Sequence, residues 1–289
     1  MRLFRHGPVG KEKPGVLINN EHRDASSFGE DFGEDFFASD GLKRLDTWLK
    51  NNLQQCPVLD PVNRFGPAIK RPSKIICIGL NYSDHAAETK ATVPPEPVVF
   101  FKSTSAICGP NDNVIIPKTS KKTDWEVELA VVIAKKTSYV TEKDAHAYIA
   151  GYMLHNDYSE RAFQIERSGQ WVKGKSCDTF APLGPYLVTP GEIPDIDNIR
   201  LWLTVNGKMM QDGNSKNLVF KIPFIVSYVS QFMTLLPGDI ISTGTPAGVG
   251  MGQKPDPVYL KSGDIVELGI DGLGSAKQKL VSWEDANVI

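Results

Sequence analysis

Trp125-Glu126-Val127-Glu128-Leu129-Ala130-Val131-Val132-Ile133 is the stretch on which the reading of this chain turns. Its second half is an unbroken apolar run of strand length, so it reads as a buried strand. In the first half acids and apolar residues alternate. Side chains two apart on a strand point the same way, which puts Glu126 and Glu128 on one face. Two carboxylates beside a buried segment repel each other and lose hydration, a cost that a bound cation removes. The competing reading is a solvated edge, because half-buried strands carry acids on their outer face; the pattern alone does not separate the two. Asp157 follows the apolar segment GYMLHN at 151–156. It offers a third oxygen or simply opens a helix, a position Asp favours. Three hard carboxylate oxygens without Cys or His suit Mg²⁺ or Mn²⁺ rather than zinc.

Outward from this stretch short strands dominate: KIICIG at 74–79, VVFF at 98–101, LWLTVNG at 201–207, DIIST at 239–243, DIVELGI at 264–270 and AKQKLVS at 276–282. Asn206-Gly207 marks a hairpin, since both positions of a type I′ turn need positive φ. Helical segments are fewer: TEKDAHAYIA at 141–150, with Thr141 as N-cap, YSERAFQIER at 158–167 and FIVSYVSQFMTLL at 224–236. Residues 1–55 hold a hairpin around Asn19 and Asn20, the acidic aromatic stretch GEDFGEDFF and a helix, GLKRLDTWLKNNL. A connector rich in Pro and Gly follows. A small N-terminal cap module over 1–70 and a main domain over 71–289 are therefore expected. Strand and helix alternate too irregularly for a doubly wound sheet, so the main domain is expected to be β-rich α+β, a barrel or a folded-over sheet.

With 289 residues, 41% of them hydrophobic, the chain can bury a large core. The net charge of -2 and the absence of long Lys/Arg runs argue against a nucleic-acid partner and for a small polar substrate. No apolar stretch reaches membrane-spanning length, and residues 1–13 lack the apolar core of a signal peptide, so a cytoplasmic location with no membrane partner is expected. Cys56, Cys77, Cys108 and Cys177 have neither disulfide-framework nor zinc-site spacing.

Three further segments carry chemistry-bearing residues. In Asn81-Tyr82-Ser83-Asp84-His85-Ala86-Ala87-Glu88 a short helix capped by Ser83 would set His85 and Glu88 on one face, where a carboxylate orients an imidazole as a base; a chance pair on an exposed turn is the alternative. Residues 169–176, GQWVKGKS, match the phosphate-loop pattern, but a polar helical stretch precedes them where a buried strand is required. That match is rejected, while Lys175 is kept as a candidate fixed cation. The glycine-rich loop TGTPAGVGMG at 243–252 follows a strand and could bring backbone amides and the Thr245 hydroxyl near an anion.

Taken in order, GLNYSDHAAE, WEVELAVVI, HNDYSERAFQ, GKSCDTFAPLGP and STGTPAGVG resemble the fumarylacetoacetate hydrolase family, from about residue 74 to the end of the chain. The resemblance implies a mixed β-sandwich roll with a small N-terminal module, a homodimer, and Mg²⁺ or Mn²⁺ on Glu126, Glu128 and Asp157. It implies a water-activating pair in His85 and Glu88, set on a lid, with Lys175 as a further catalytic position. Tyr82, Arg161, Gln164 and Thr245 fall on positions resembling substrate contacts. Many acylpyruvase and decarboxylase members carry a basic residue before N-Y, where this chain has Leu80. The opening RHGPVGKEKPG at 5–15 resembles the bacterial branch labelled 2,4-diketo-3-deoxy-L-fuconate or rhamnonate hydrolase, sometimes ureidoglycolate lyase. Hydrolytic carbon-carbon cleavage of a 2,4-diketo acid in sugar-acid catabolism is the activity so implied. Decarboxylation or tautomerisation of oxaloacetate, isomerisation of a hydroxy-diene-dioate, and a non-catalytic keto-acid binder are the alternatives.

Overall fold

The computed structural model describes residues 1–84, 88 and 94–286. The strand expected at 125–133 forms over Val127–Ile133 and is buried throughout. It is buried because it lies deep inside a sheet of nine described strands. Their order is Glu21–Asp24, Lys13–Ile18, Arg2–His6, Leu187–Val188, Ile149–Asn156, Val127–Ile133, Ile240–Ser242, Ile75–Gly79 and Val98–Lys102. The central pairs are antiparallel, with Glu128 opposite His155 and Ala130 opposite Ser242, while Ile240–Ser242 runs parallel to Ile75–Gly79. A second, five-stranded sheet runs Lys208–Asn214, Arg200–Val205, Ile265–Ile270, Gly274–Ser282 and Val114–Ile116. Both expected hairpin turns form, with positive φ at Asn19, Asn20, Asn206 and Gly207.

The N-terminal strands join the large sheet through Arg2–His6, which pairs with Leu187–Val188. Only the helical part of residues 1–70 stands beside it, as Glu34–Ala38 and Gly41–Asn52. The acidic aromatic stretch is explained by its two sides: Phe32, Phe36 and Phe37 enter the core, while Glu30 and Asp31 pair with Arg44 and Arg5. The expected helices are shorter than read. Residues 142–148 form a 3-10 helix capped by the Thr141 hydroxyl, and the apolar Ile149-Ala150 that follows belongs to the central strand. The later helices cover Arg161–Ile165 and Ile222–Val229. No helix among the described residues is long and apolar enough to cross a membrane.

Candidate metal centre and active site

Glu126 and Glu128 are 5% and 2% exposed, which rules out the solvated-edge reading. With Asp157 they offer carboxylate oxygens that all lie within 4.8 Å of one another. The sheet fixes this convergence. The Asp157 amide donates to the Glu126 carbonyl at 2.9 Å, just beyond the point where Val127 and Asn156 end their ladder. Asp157 does not begin the following helix; Glu160 caps it, accepting from the Ala162 amide.

Three buried cations touch this cluster. Lys175 Nζ donates to Glu126 Oε2 at 2.7 Å and to Asp157 Oδ2 at 2.9 Å. Lys102 Nζ donates to Asp157 Oδ1 at 2.5 Å and to the Tyr158 carbonyl at 3.0 Å. Arg161 Nη2 lies 2.7 Å from Glu126 Oε1, while its Nε donates to Asp124 Oδ2 at 2.8 Å. Its Nη1 donates to Gln164 Oε1 at 3.1 Å. Burial alone would push the Asp157 carboxyl up, but Lys102 and Lys175 together hold it well below the usual carboxylate range. Burial alone would lower Lys175, but Asp157 and Glu126 keep it firmly protonated. Burial, with Asp157 and Glu126 close by, pushes Glu128 well above the ordinary value.

Glu128 is anchored from the neighbouring strand. Ser242 Oγ donates to Glu128 Oε2 at 2.5 Å and the Gly244 amide donates to the same oxygen at 3.1 Å. With its hydroxyl proton so placed, Ser242 must accept from His155 Nδ1, 2.7 Å away, which fixes the imidazole tautomer. Burial pushes His155 down to about 3, so the ring is neutral.

The centre opens into a cavity of about 170 Å³ whose lining includes Glu126, Glu128, Arg161, Gln164, Lys175 and Thr245. With Asp157 behind the lining, seven candidate residues are thus brought together. Tyr82 is fully buried outside this lining, and its hydroxyl has no partner among the described residues. The Thr245 hydroxyl donates to the Val127 carbonyl and accepts from Gln211 Nε2, both at 2.8 Å, so its proton serves the backbone. His85 lies outside the described residues. Glu88 receives the Gly248 amide at 3.1 and 3.0 Å on its two oxygens. The glycine-rich loop does meet anions, but they are the chain's own carboxylates: Glu88 at Gly248, Glu128 at Gly244, and Asp124 at Gly250 and Met251. Gly248 has φ +107°, and a Cβ there would come 1.9 Å from the Met210 carbonyl; a Cβ on Gly252 would come 2.5 Å from Glu88 Cδ. The phosphate-loop match at 169–176 follows the helix Arg161–Ile165 and a turn, in keeping with its rejection.

Sequence reasoning missed Asp124, Lys102, Ser242 and His155. Asp124 had a signal, since Asp124, Glu126 and Glu128 continue one alternation.

These residues fit a divalent cation. The oxygens are hard, convergent and buried, a lysine ammonium already bridges two of the carboxylates, and the repulsion felt by Glu128 is what a cation relieves. The β-rich fold that carries this site is that of the fumarylacetoacetate hydrolases, as the likeness to a solved structure shows. The model of the fumarylacetoacetate hydrolase C-terminal region matches residues 74–281, and the chain belongs to that family. A Burkholderia ambifaria protein named provisionally as a hydrolase is 53% identical over 279 residues, covering 96% of this chain and 98% of its own. The fumarylacetoacetate hydrolase of psychrophilic Exiguobacterium antarcticum superposes with TM-score 0.82 at 32% identity, covering 98% of this chain and 99% of that one. The maleylpyruvate hydrolase of Sphingobium sp. SYK-6, in complex with manganese(II) and pyruvate, superposes with TM-score 0.79 at 28% identity and the same coverage.

Proposed function

We propose that the protein is a divalent-metal-dependent hydrolase that cleaves the carbon-carbon bond of a 2,4-diketo acid and releases pyruvate or a related 2-keto acid. Mg²⁺ or Mn²⁺ is held by Glu126, Glu128 and Asp157. The observation that carries this reading is the buried carboxylate triad, two of whose members, Glu126 and Glu128, line a small cavity, with Lys102, Lys175 and Arg161 paired to the cluster. The manganese and pyruvate held by the Sphingobium relative support it. When bound, the ion supplies Lewis-acid stabilisation of the negative charge that develops as the bond breaks.

The chain's own groups divide the remaining work. Lys175, which donates to Glu126 and Asp157, contributes a positive charge facing the cavity. Arg161, oriented by Asp124 and Gln164, adds a second. The base is assigned to His85 on the family resemblance, with Glu88 held in place by the Gly248 amide. Water adds to the distal carbonyl, its proton passing to His85. The bond between the carbonyl carbon and the methylene then breaks, its electron pair leaving as the enolate of the 2-keto acid, which takes up a proton. The acyl part departs as a carboxylate. A homodimer belongs to the same proposal, on the resemblance of the chain; a sugar-acid substrate, suggested by the opening at 5–15, is the competing substrate reading.

The test is purified protein with Mn²⁺ and either a 2,4-diketo acid or oxaloacetate, following pyruvate and the second fragment. Pyruvate with an equal amount of the acyl carboxylate is expected. Pyruvate and carbon dioxide from oxaloacetate alone would replace hydrolysis by decarboxylation. His85→Ala should lose turnover while retaining Mn²⁺ affinity.

A further inference from the structure

We infer that the substrate carries a single carboxylate and an apolar distal group, so that dicarboxylic and polyhydroxylated diketo acids are disfavoured. This rests on the reading of the site as a keto-acid centre. Two independent observations lead to it, the charge balance of the buried network and the chemistry of the cavity wall beyond it.

The ion-pair network containing the three ligands holds, among the described residues, the cations Lys102, Lys175 and Arg161 and the carboxylates Asp124, Glu126, Glu128 and Asp157. Ionised throughout, it carries one negative charge in excess. A divalent ion turns that into one positive charge, which the carboxylate of one keto acid neutralises. A second carboxylate in the same cavity would be desolvated with no counter-charge, because each cation of the network already contacts a carboxylate.

Among the described residues the rest of the lining carries no charge: the Thr245 hydroxyl serves the Val127 carbonyl and Gln164 Oε1 accepts from Arg161. Beyond these polar groups the wall is made of Ile78, Leu80, Phe100, Ile165, Trp171 and Met251. Phe100 and Trp171 meet edge to face at 5.2 Å, a rigid aromatic corner suited to an alkyl or aryl group. Lys175 reaches over the Phe100 ring, 5.1 Å from its centre, so the charged floor and the apolar corner are contiguous. A polyol chain against this wall would lose its water without gaining hydrogen bonds, a penalty of the same kind.

The test uses two acids of equal length that this chemistry does not cleave, 2-oxohexanoate and 2-oxoadipate, titrated calorimetrically into the Mn²⁺-loaded protein. The mono-acid is expected to bind at least about tenfold more tightly. Leu80→Arg, and separately Met251→Lys from the glycine-rich loop, should each supply the missing counter-charge and narrow or reverse the ratio. A parallel comparison of turnover should rank an acylpyruvate with an alkyl or phenyl group above a 2,4-diketo dioate and a 2,4-diketo sugar acid. Equal or tighter binding of 2-oxoadipate, or preference for the sugar acid, overturns the inference. The expected binding order with no diketo acid cleaved leaves the inference standing and removes the hydrolase reading. Binding of neither acid overturns both.

Discussion

Lys175 makes the most demanding contribution to the metal-free protein, and its replacement by Met has a calculable consequence. The ammonium is buried, 2.7 Å from Glu126 and 2.9 Å from Asp157. Methionine keeps most of the stem's volume and deletes the charge, so packing changes little. Breaking one side of a buried ion pair costs about 3–5 kcal/mol, because the abandoned carboxylates stay desolvated. In a chain of 289 residues that lowers Tm by roughly 5–8 °C. Saturating Mn²⁺ near 100 times its Kd should stabilise the wild type by about 2.7 kcal/mol. In Lys175→Met the ion also replaces the lost charge, so the Mn²⁺-induced rise in Tm should exceed that of the wild type. The assay is thermal melting of both proteins in chelator and in Mn²⁺. A Lys175→Met variant melting in chelator within about 2 °C of wild type would refute the reasoning, as would a smaller Mn²⁺ response.

Glu128→Gln keeps the Ser242 and Gly244 hydrogen bonds available on its carbonyl oxygen and removes repulsion from Asp157 and Glu126; it should melt at or above wild type in chelator and lose most of the Mn²⁺-induced rise, read by the same melts. Gly252→Ala places a methyl group 2.5 Å from Glu88 Cδ, the mobile end of that side chain. Stability should therefore change little while kcat falls at unaltered Mn²⁺ affinity, and an unchanged kcat would dissociate Glu88 from the reaction. Burial lowers His22, whose Nε2 sits 2.7 Å from the Tyr186 hydroxyl in an aromatic cluster with Phe4 and Phe65. A histidine with a depressed folded value contributes stability that is complete above its unfolded value of 6.5 and is lost as pH falls through the folded one. Tm should accordingly drop on acidification below about pH 6.5, and the drop should be smaller in His22→Gln.

The sequence made the shared face of Glu126 and Glu128 visible, because period-two alternation is local. Whether that face meets water was not visible. It depends on flanking partners at 149–156 and 240–242, and an exposed edge has the same alternation. Lys102 illustrates the limit more sharply. It ends the strand Val98–Lys102 like any solvated terminal lysine, yet its ammonium meets Asp157 across 55 positions of chain. Ser242 and His155 are small or neutral polar residues in apolar runs, and only the register, with His155 opposite Glu128 and Ser242 opposite Ala130, turns them into supports for a ligand. The amides of the glycine-rich loop do meet anions, but the Thr245 hydroxyl does not, and glycine spacing says nothing about whose anion the loop faces. The helix expected at 141–150 was too long because Ile149 and Ala150 satisfy the apolar period of a helix and of a buried strand equally. The N-terminal hairpin and helix were legible, whereas the pairing of Arg2 with Val188 joins residues 186 positions apart.

Anomalous diffraction from crystals grown with Mn²⁺ tests the central claim most directly. A single strong manganese peak within bonding distance of carboxylate oxygens of Glu126, Glu128 and Asp157 is expected, facing the cavity walled by Phe100 and Trp171. Crystals at saturating Mn²⁺ with no peak there, and Lys175 still bridging Glu126 and Asp157, would contradict it.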